Sequence, residues 1–307
     1  MELKQLQYFM RAAELEHITK AAGDLMVSQP YLSKVIADLE NELGVPLFDH
    51  KGRSIVLNPC GKAFYRHAVN ILNEVEDSKK EINNINLSQQ TSLTIVTNCS
   101  QYMPGLLELI SMSNQDIKIR QLSARRRDII RMILNGEADF ALCSPPIEDN
   151  VELKTLHLRY EQAVVIFPEG YWLKDHKEIT FEEIKDETFI SVSQGYGARD
   201  ALDLYFSHLG IAPKIAIETA DTGTVFRYVE KGLGISAVPL SIVLQEPTFK
   251  NRYSVLANRA GGNIALTWRS NQYISEAGKL FIEKSKEFFE NLENFVETNK
   301  IIESELS

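Results

Sequence analysis

The sequence predicts two architectures in series: an all-α-rich head over residues 1–58, joined by a long helix and hinge over 59–91 to an α/β body over 92–307. Three observations carry this. Apolar residues recur at steps of three and four through the first 44 positions; residues 62–88 contain neither Gly nor Pro; and beyond residue 92 short β-branched runs alternate with helical stretches. The total of 307 residues, 44% hydrophobic and 24% charged, is enough chain for about two cores, which excludes disordered, collagenous and coiled-coil-only forms.

The head opens with a helix over 3–15, whose Leu3, Leu6, Phe9, Met10 and Ala13 lie at helical spacing. A second, short helix is expected with Thr19 as its N-cap and small residues at Ala21, Ala22 and Gly23, where another helix can approach closely. Ser28 caps a third, Pro30 falls in its first turn where a missing N–H is harmless, and Leu32, Ile36, Leu39 and Leu43 form its apolar stripe before Gly44 ends it. Two short helices joined by a tight turn, the second presenting Gln29, Tyr31, Ser33 and Lys34 away from its stripe, have the layout of a helix-turn-helix.

In the following helix, Phe64, Ala68, Ile71, Val75, Ser78, Ile82 and Ile85 step by four and three, the seam of a dimerising coiled coil; a helix lying on its own domain would give the same pattern. Asn83 to Thr91 reads as a polar hinge. In the body, strands are expected at 93–97, 117–122, 139–143, 162–167, 188–192, 214–218 and 234–238, in largely parallel sheets. Ligands of such sheets bind beyond the C-terminal strand ends. That rule nominates Asn98, Cys99, Ser100 and Gln101, then Arg125 and Arg126, then Ser144, and from later strands Gln194, Gly195 and Tyr196 with Thr222 and Gly223. Neighbouring arginines suggest an anionic ligand, although consecutive helical residues cannot all face it.

Residues 3–64 resemble, without a gap, the winged helix-turn-helix of LysR-type transcriptional regulators, through Ala21-Ala22, VSQPYLSK at 27–34, Leu39-Glu40, LGVPLF at 43–48 and Gly52-Arg53 followed by Leu57. Tyr31 and Lys34 depart from the usual Ala and Arg, and Asn58-Pro59-Cys60-Gly61 replaces Thr-x-x-Gly, so a relative's operator cannot be borrowed. The stretches 125–142 and 229–239 resemble the family's effector-binding region, a two-subdomain fold like that of the type 2 periplasmic binding proteins. The resemblance implies subdomain I at about 92–161 and 266–302, subdomain II at about 162–265, and a dimerising linker helix.

Within that frame, Gln29 can pair with an adenine edge, Pro30 and Tyr31 can meet a thymine methyl, and Lys34 can reach guanine or phosphate. Thr19, Ser28 and Ser33 suit phosphate, as do Lys51, Arg53 and Ser54 on the wing. The implied partners are promoter DNA, a small-molecule effector, further copies of the chain in a dimer or tetramer, and RNA polymerase, with no cofactor, metal or membrane. Catalysis is not expected, because no nucleophile-base set, phosphate loop or metal spacing occurs. A solute-binding protein should carry an export signal, whereas Glu2, Lys4 and Arg11 leave no room for one, which places the chain in the cytoplasm.

The net charge of −9 lies downstream of residue 66, since the first 66 residues hold eight Lys/Arg and eight Asp/Glu. What decides DNA binding is the field of the docking face rather than the sum. Cys60, Cys99 and Cys143 are too few for a disulfide framework. The family's strand order would bring Cys99 and Cys143 to adjacent strand ends, leaving an oxidation switch as the alternative to a small effector.

Overall fold

The computed structural model describes residues 1–305 apart from Arg53, 86–91, Gln115, Asp149 and 258–259. The chain divides into two compact units, Met1–Leu87 and Ser88–Ser307.

In the first unit, α1 (Leu3–Leu15), α2 (Ile18–Asp24) and α3 (Gln29–Leu43) surround a core led by Leu6, Phe9, Ala21, Leu32 and Leu39. Phe9 sits at its centre, with ring centroids 5.4 Å from Phe48 and 5.1 Å from Phe64. Ala21 and Ala22 are buried, as close helix approach requires. Ser28 caps α3 by accepting the Tyr31 N–H at 3.4 Å, and Gly44 ends it in the left-handed conformation at φ 73°. The cap of α2 differs from expectation. His17, in extended conformation, precedes Ile18, and Thr19 lies inside the first turn.

A hairpin of β1 (Phe48–Lys51) and β2 (Ser54–Leu57) forms the wing, with Lys51 opposite Ser54 at its tip. Glu40 anchors its entry by accepting the N–H groups of Leu47 (2.7 Å) and Phe48 (3.3 Å). Asn58 accepts the Gly61 N–H at 2.8 Å and donates to the Pro46 carbonyl at 2.8 Å, so the departure from Thr-x-x-Gly still starts α4 (Pro59–Ile85). Gly61 is required for packing: a Cβ there would lie 2.0 Å from the Leu47 carbonyl oxygen.

In the second unit, β3 (Ser92–Thr97) runs parallel to β4 (Lys118–Ser123) and β5 (Phe140–Cys143). β12 (Gly261–Arg269) is antiparallel to β5 and to the 14-residue β6 (Leu153–Ile166). The far half of β6 carries β10 (Ser236–Pro239) and β11 (Tyr253–Leu256), both antiparallel to it, and β11 pairs with β7 (Glu178–Ile179). β8 (Phe189–Val192) and β9 (Ile215–Thr219) form a separate parallel pair. The sheet is therefore mixed rather than largely parallel, because β6 and β12 cross between the two halves in opposite directions. The sequence reading shows only the end of β6 and neither β11 nor β12.

Helices cover both faces. α5 (Met103–Ser113) and α11 (Glu276–Glu305) lie over Leu93, Ile95, Phe140 and Leu142, while α6 (Arg126–Leu134) covers Val96, Ala141 and Cys143 on the other side. The remaining helices, α7 (Phe181–Ile184), α8 (Gly197–Leu209), α9 (Thr222–Glu230) and α10 (Leu240–Val243), belong to the second half. α11 spans both: Phe281 and Phe289 join the first core and Val296 the second.

Candidate functional site

The outer face of α3 is built by its own stripe. With Leu32, Ile36 and Leu39 buried, helical geometry turns Gln29, Pro30, Tyr31 and Lys34 outward, and all four are exposed. Gln29 donates to the Ser33 hydroxyl at 2.9 Å, which orders the two side chains as a pair. Tyr31 rests edge-on against Tyr8 at 6.1 Å, so it is held in place at one edge and open at the other. Thr19 and Ser28 are exposed nearby, as are Lys51 and Ser54 at the wing tip; Arg53 lies outside the described residues. Sequence reasoning missed Met26, which turns the chain between α2 and α3 at φ 55° and is 94% exposed.

The expected dimer seam splits in two. Ala68 is fully buried in the core of its own unit, while Phe64 packs on Phe9 and stays partly exposed. Further along α4, Ile71 and Ile82 are exposed and Val75 is partly so.

Beyond β3 and β8 the expected strand ends converge. Asn98, Ser100 and Gln101 from one half of the unit, and Tyr196, Gly197 and Thr222 from the other, line a small cavity, with Val192, Ala198 and Ala220 as its apolar wall. The first turns of α8 and α9 border it, and helix N-termini favour anionic groups. Asp221 already takes the Thr224 N–H at 2.7 Å; that bond, with one from the Thr224 hydroxyl, holds its carboxyl below the usual range.

Several nominated residues have other roles. The Asn98 amide is committed to the backbone of Ser144, donating to its carbonyl at 2.9 Å and accepting its N–H at 3.1 Å. Cys99 and Ser144 open onto a different cavity. Arg126 donates its guanidinium to the carbonyls of Pro145 and Pro146, and its N–H to the Gly195 carbonyl at 3.1 Å. The Arg125 side chain lies against Gly195, leaving no room there for a Cβ. Arg125, Arg126 and Gly195 thus clasp the two halves across the cleft rather than line it, and neither Gln194 nor Gly223 reaches the cavity wall. Gly197 adds to the clasp by donating to the Asn98 carbonyl at 3.0 Å.

β3 and β5 are indeed neighbours, but Cys99 belongs to the core on one face of the sheet and Cys143 to that on the other. Both thiols are buried and free, and burial pushes them up, Cys143 to about 11 and Cys99 further above its ordinary value.

Residues 3–62 match the family described as bacterial regulatory helix-turn-helix proteins of the lysR family, and residues 88–290 match the LysR substrate binding domain. The chain belongs to the LysR family of transcriptional regulators. This LysR-type regulator is 33% identical to the HTH-type transcriptional regulator YybE of Bacillus subtilis over 242 residues, covering 78% of this chain and 82% of YybE. It is 25% identical to the transcriptional dual regulator GltC of Bacillus subtilis, covering 96% of this chain and all of GltC. Its fold matches full-length OxyR from Pseudomonas aeruginosa with a TM-score of 0.65, at 21% identity over 93% of this chain and 98% of that one. It also matches CbnR, a LysR family regulator solved complexed with its target DNA, with a TM-score of 0.58, at 21% identity over 94% and 100% of the two chains. The LysR-type regulator is accordingly a DNA-binding transcription factor with an effector-binding domain and not an enzyme. Among the described residues no helix is long and apolar enough to cross a membrane.

Proposed function

We propose that the exposed face of α3 enters the major groove of promoter DNA, with Gln29 and Lys34 reaching base edges or phosphate, Thr19, Ser28 and Ser33 fixing register, and Lys51 and Ser54 carrying the wing to the backbone. Arg53, outside the described residues, belongs to that wing in sequence. Ile71, Val75 and Ile82 join two copies, the dimers pair into tetramers, and the assembly works in the cytoplasm with RNA polymerase as a further partner.

A small carboxylate-bearing effector occupies the cavity between Ser100, Gln101, Tyr196 and Thr222. The observation that carries this reading is that polar side chains from both halves meet there at the N-terminal turns of α8 and α9. Binding favours one arrangement of the halves, and through the oligomer one spacing of the heads, by as much as its affinity differs between arrangements. An oxidation switch has less support, because Cys99 and Cys143 are both buried, free thiols that burial raises above their ordinary value.

Two experiments test the reading. In a thermal-shift panel of amino, organic and aromatic acids, nucleotides and sugar phosphates, a carboxylic acid should raise the melting point by a few degrees, and Ser100→Ala with Thr222→Val should abolish the shift. A panel without a shift, or a shift unchanged in those variants, would remove the effector from this cavity. Lys34→Ala should lower operator affinity and, for a phosphate contact, reduce the salt slope by about one; unchanged affinity would remove Lys34 from the interface.

A further inference from the structure

Tyr31 is the only aromatic residue of α3, and it is 45% exposed on the face turned away from the core. A side chain left that open ordinarily moves between rotamers and loses that freedom on binding. This one is held from the side. Its ring centroid lies 6.1 Å from that of Tyr8 on α1, with the ring planes at 82°, the edge-to-face arrangement that aromatic pairs favour. Tyr8 is itself fixed: it is 6% exposed in the core of the head, and Lys4 Nζ sits over its ring, 5.6 Å from the centroid. The backbone beneath is also tied down, since the Tyr31 N–H donates to Ser28 Oγ.

Successive helical residues are about 100° apart, so Tyr31 stands on the opposite flank of the exposed face from Gln29 and Ser33. Those two pair with each other at 2.9 Å and present polar groups, whereas Tyr31 presents a ring. Among the base edges of the major groove, the donors and acceptors are polar and the C5-methyl group of thymine is the apolar feature. 5-Methylcytosine carries the same group at the same ring position. A braced ring meets such a methyl without being ordered at the moment of binding, so the gain from burying it is kept in the affinity.

We infer that Tyr31, positioned by Tyr8, is a specificity-determining residue that reads the C5-methyl group of one pyrimidine in each half-site. This rests on the reading that the α3 face enters the major groove. Tyr8, buried and on a different helix, acts on base preference through Tyr31.

The test uses the full-length protein and a duplex that it enriches from random sequences, with each thymine replaced in turn by deoxyuridine, which removes only the methyl group. In the wild type one replacement per half-site should weaken binding about fourfold, the value of one buried methyl group. Where the base at that position is cytosine, 5-methylation should strengthen binding by the same factor. Tyr31→Ala should bind the methylated and unmethylated duplexes equally, and Tyr31→Phe, which keeps the ring, should still distinguish them. Tyr8→Leu should bring the ratio of the two affinities toward one and Tyr8→Phe should preserve it, whereas a merely structural Tyr8 would weaken both duplexes alike. Each variant is first shown to melt cooperatively, and the Tyr31 variants, at an exposed position, decide the proposal should Tyr8→Leu not fold. A methyl effect that is absent from the wild type, survives in Tyr31→Ala or is lost in Tyr31→Phe would overturn the proposal alone, because the selected duplex still outcompetes a scrambled one. Failure to select any duplex would remove the α3 face from the groove, and the proposal with it.

Discussion

Gly197 stands where the two halves of the effector domain touch, and its replacement by Ala offers a sharp test of how the cleft closes. A Cβ at this position would lie 2.6 Å from Cys99 Sγ and 3.2 Å from the carbonyl oxygens of Asn98 and Ser144. Elsewhere at a helix start, Gly→Ala stabilises by about 0.4–1 kcal/mol through the unfolded chain. Here the sign reverses, because Cys99 is buried and two backbone carbonyls cannot swing aside. Overpacking of this kind costs about 1–3 kcal/mol. The cost falls on the contact between β3 and α8, where the Gly197 N–H reaches the Asn98 carbonyl. Trp172 and Trp268 both lie in the second unit, so tryptophan fluorescence during urea unfolding reports this domain. Gly197→Ala should lower its stability by that amount, and Cys99→Ala in the same chain should recover about half, because the tightest contact is then gone while the carbonyl contacts persist. A single variant within about 0.5 kcal/mol of wild type, or a double variant no better than the single, would refute this account of closure.

Three further outcomes follow from the geometry. At pH 8 a thiol reagent should titrate one cysteine in the native protein, the exposed Cys60, and all three only in denaturant; fast reaction of two or more native thiols would contradict the burial of Cys99 and Cys143. Asp221→Ala should cost about 1 kcal/mol at neutral pH through loss of the α9 cap. Because the folded state depresses this carboxyl, its contribution is present above the unfolded carboxylate value and fades as pH falls through the lower folded value, so urea melts of the two proteins should converge as the pH falls below the ordinary aspartate range. Ile71→Asp with Val75→Asp should halve the mass measured by light scattering, while Ala68→Asp should unfold the head; an unaltered mass in the double variant would sink the interface assignment on α4.

The head was legible because its signals are local. Ser28, Pro30 and Gly44 act within one turn, and the stripe from Leu32 to Leu43 sets the exposed face without reference to distant residues. One stripe of α4 serves first the core of its own unit, through Ala68 and part of Phe64, and then surface where Ile71 and Ile82 are exposed and Val75 partly so, a division that the even spacing does not reveal. The front half of β6 and all of β12 escaped because their burial depends on each other, with Leu156 opposite Leu266 some 110 residues apart. The cleft was half legible. Strand ends nominated Ser100, Gln101, Tyr196 and Thr222, which the structure brings to one cavity, but a free amide and a committed one look alike in sequence, and Asn98 is committed to a backbone 46 residues away.

The central claim is that the exposed face of α3 reads DNA sequence, and selection of random duplexes by the purified full-length protein, followed by fluorescence anisotropy at physiological salt, tests it most directly. The account predicts enrichment of a two-fold symmetric pair of half-sites bound with a Kd of about 10⁻⁸ M or tighter, at least about 10³ tighter than a scrambled duplex, with Gln29→Ala losing preference at one base position in each half-site. Equal affinity for the selected and scrambled duplexes, or an unaltered base preference in both Gln29→Ala and Lys34→Ala, would contradict it.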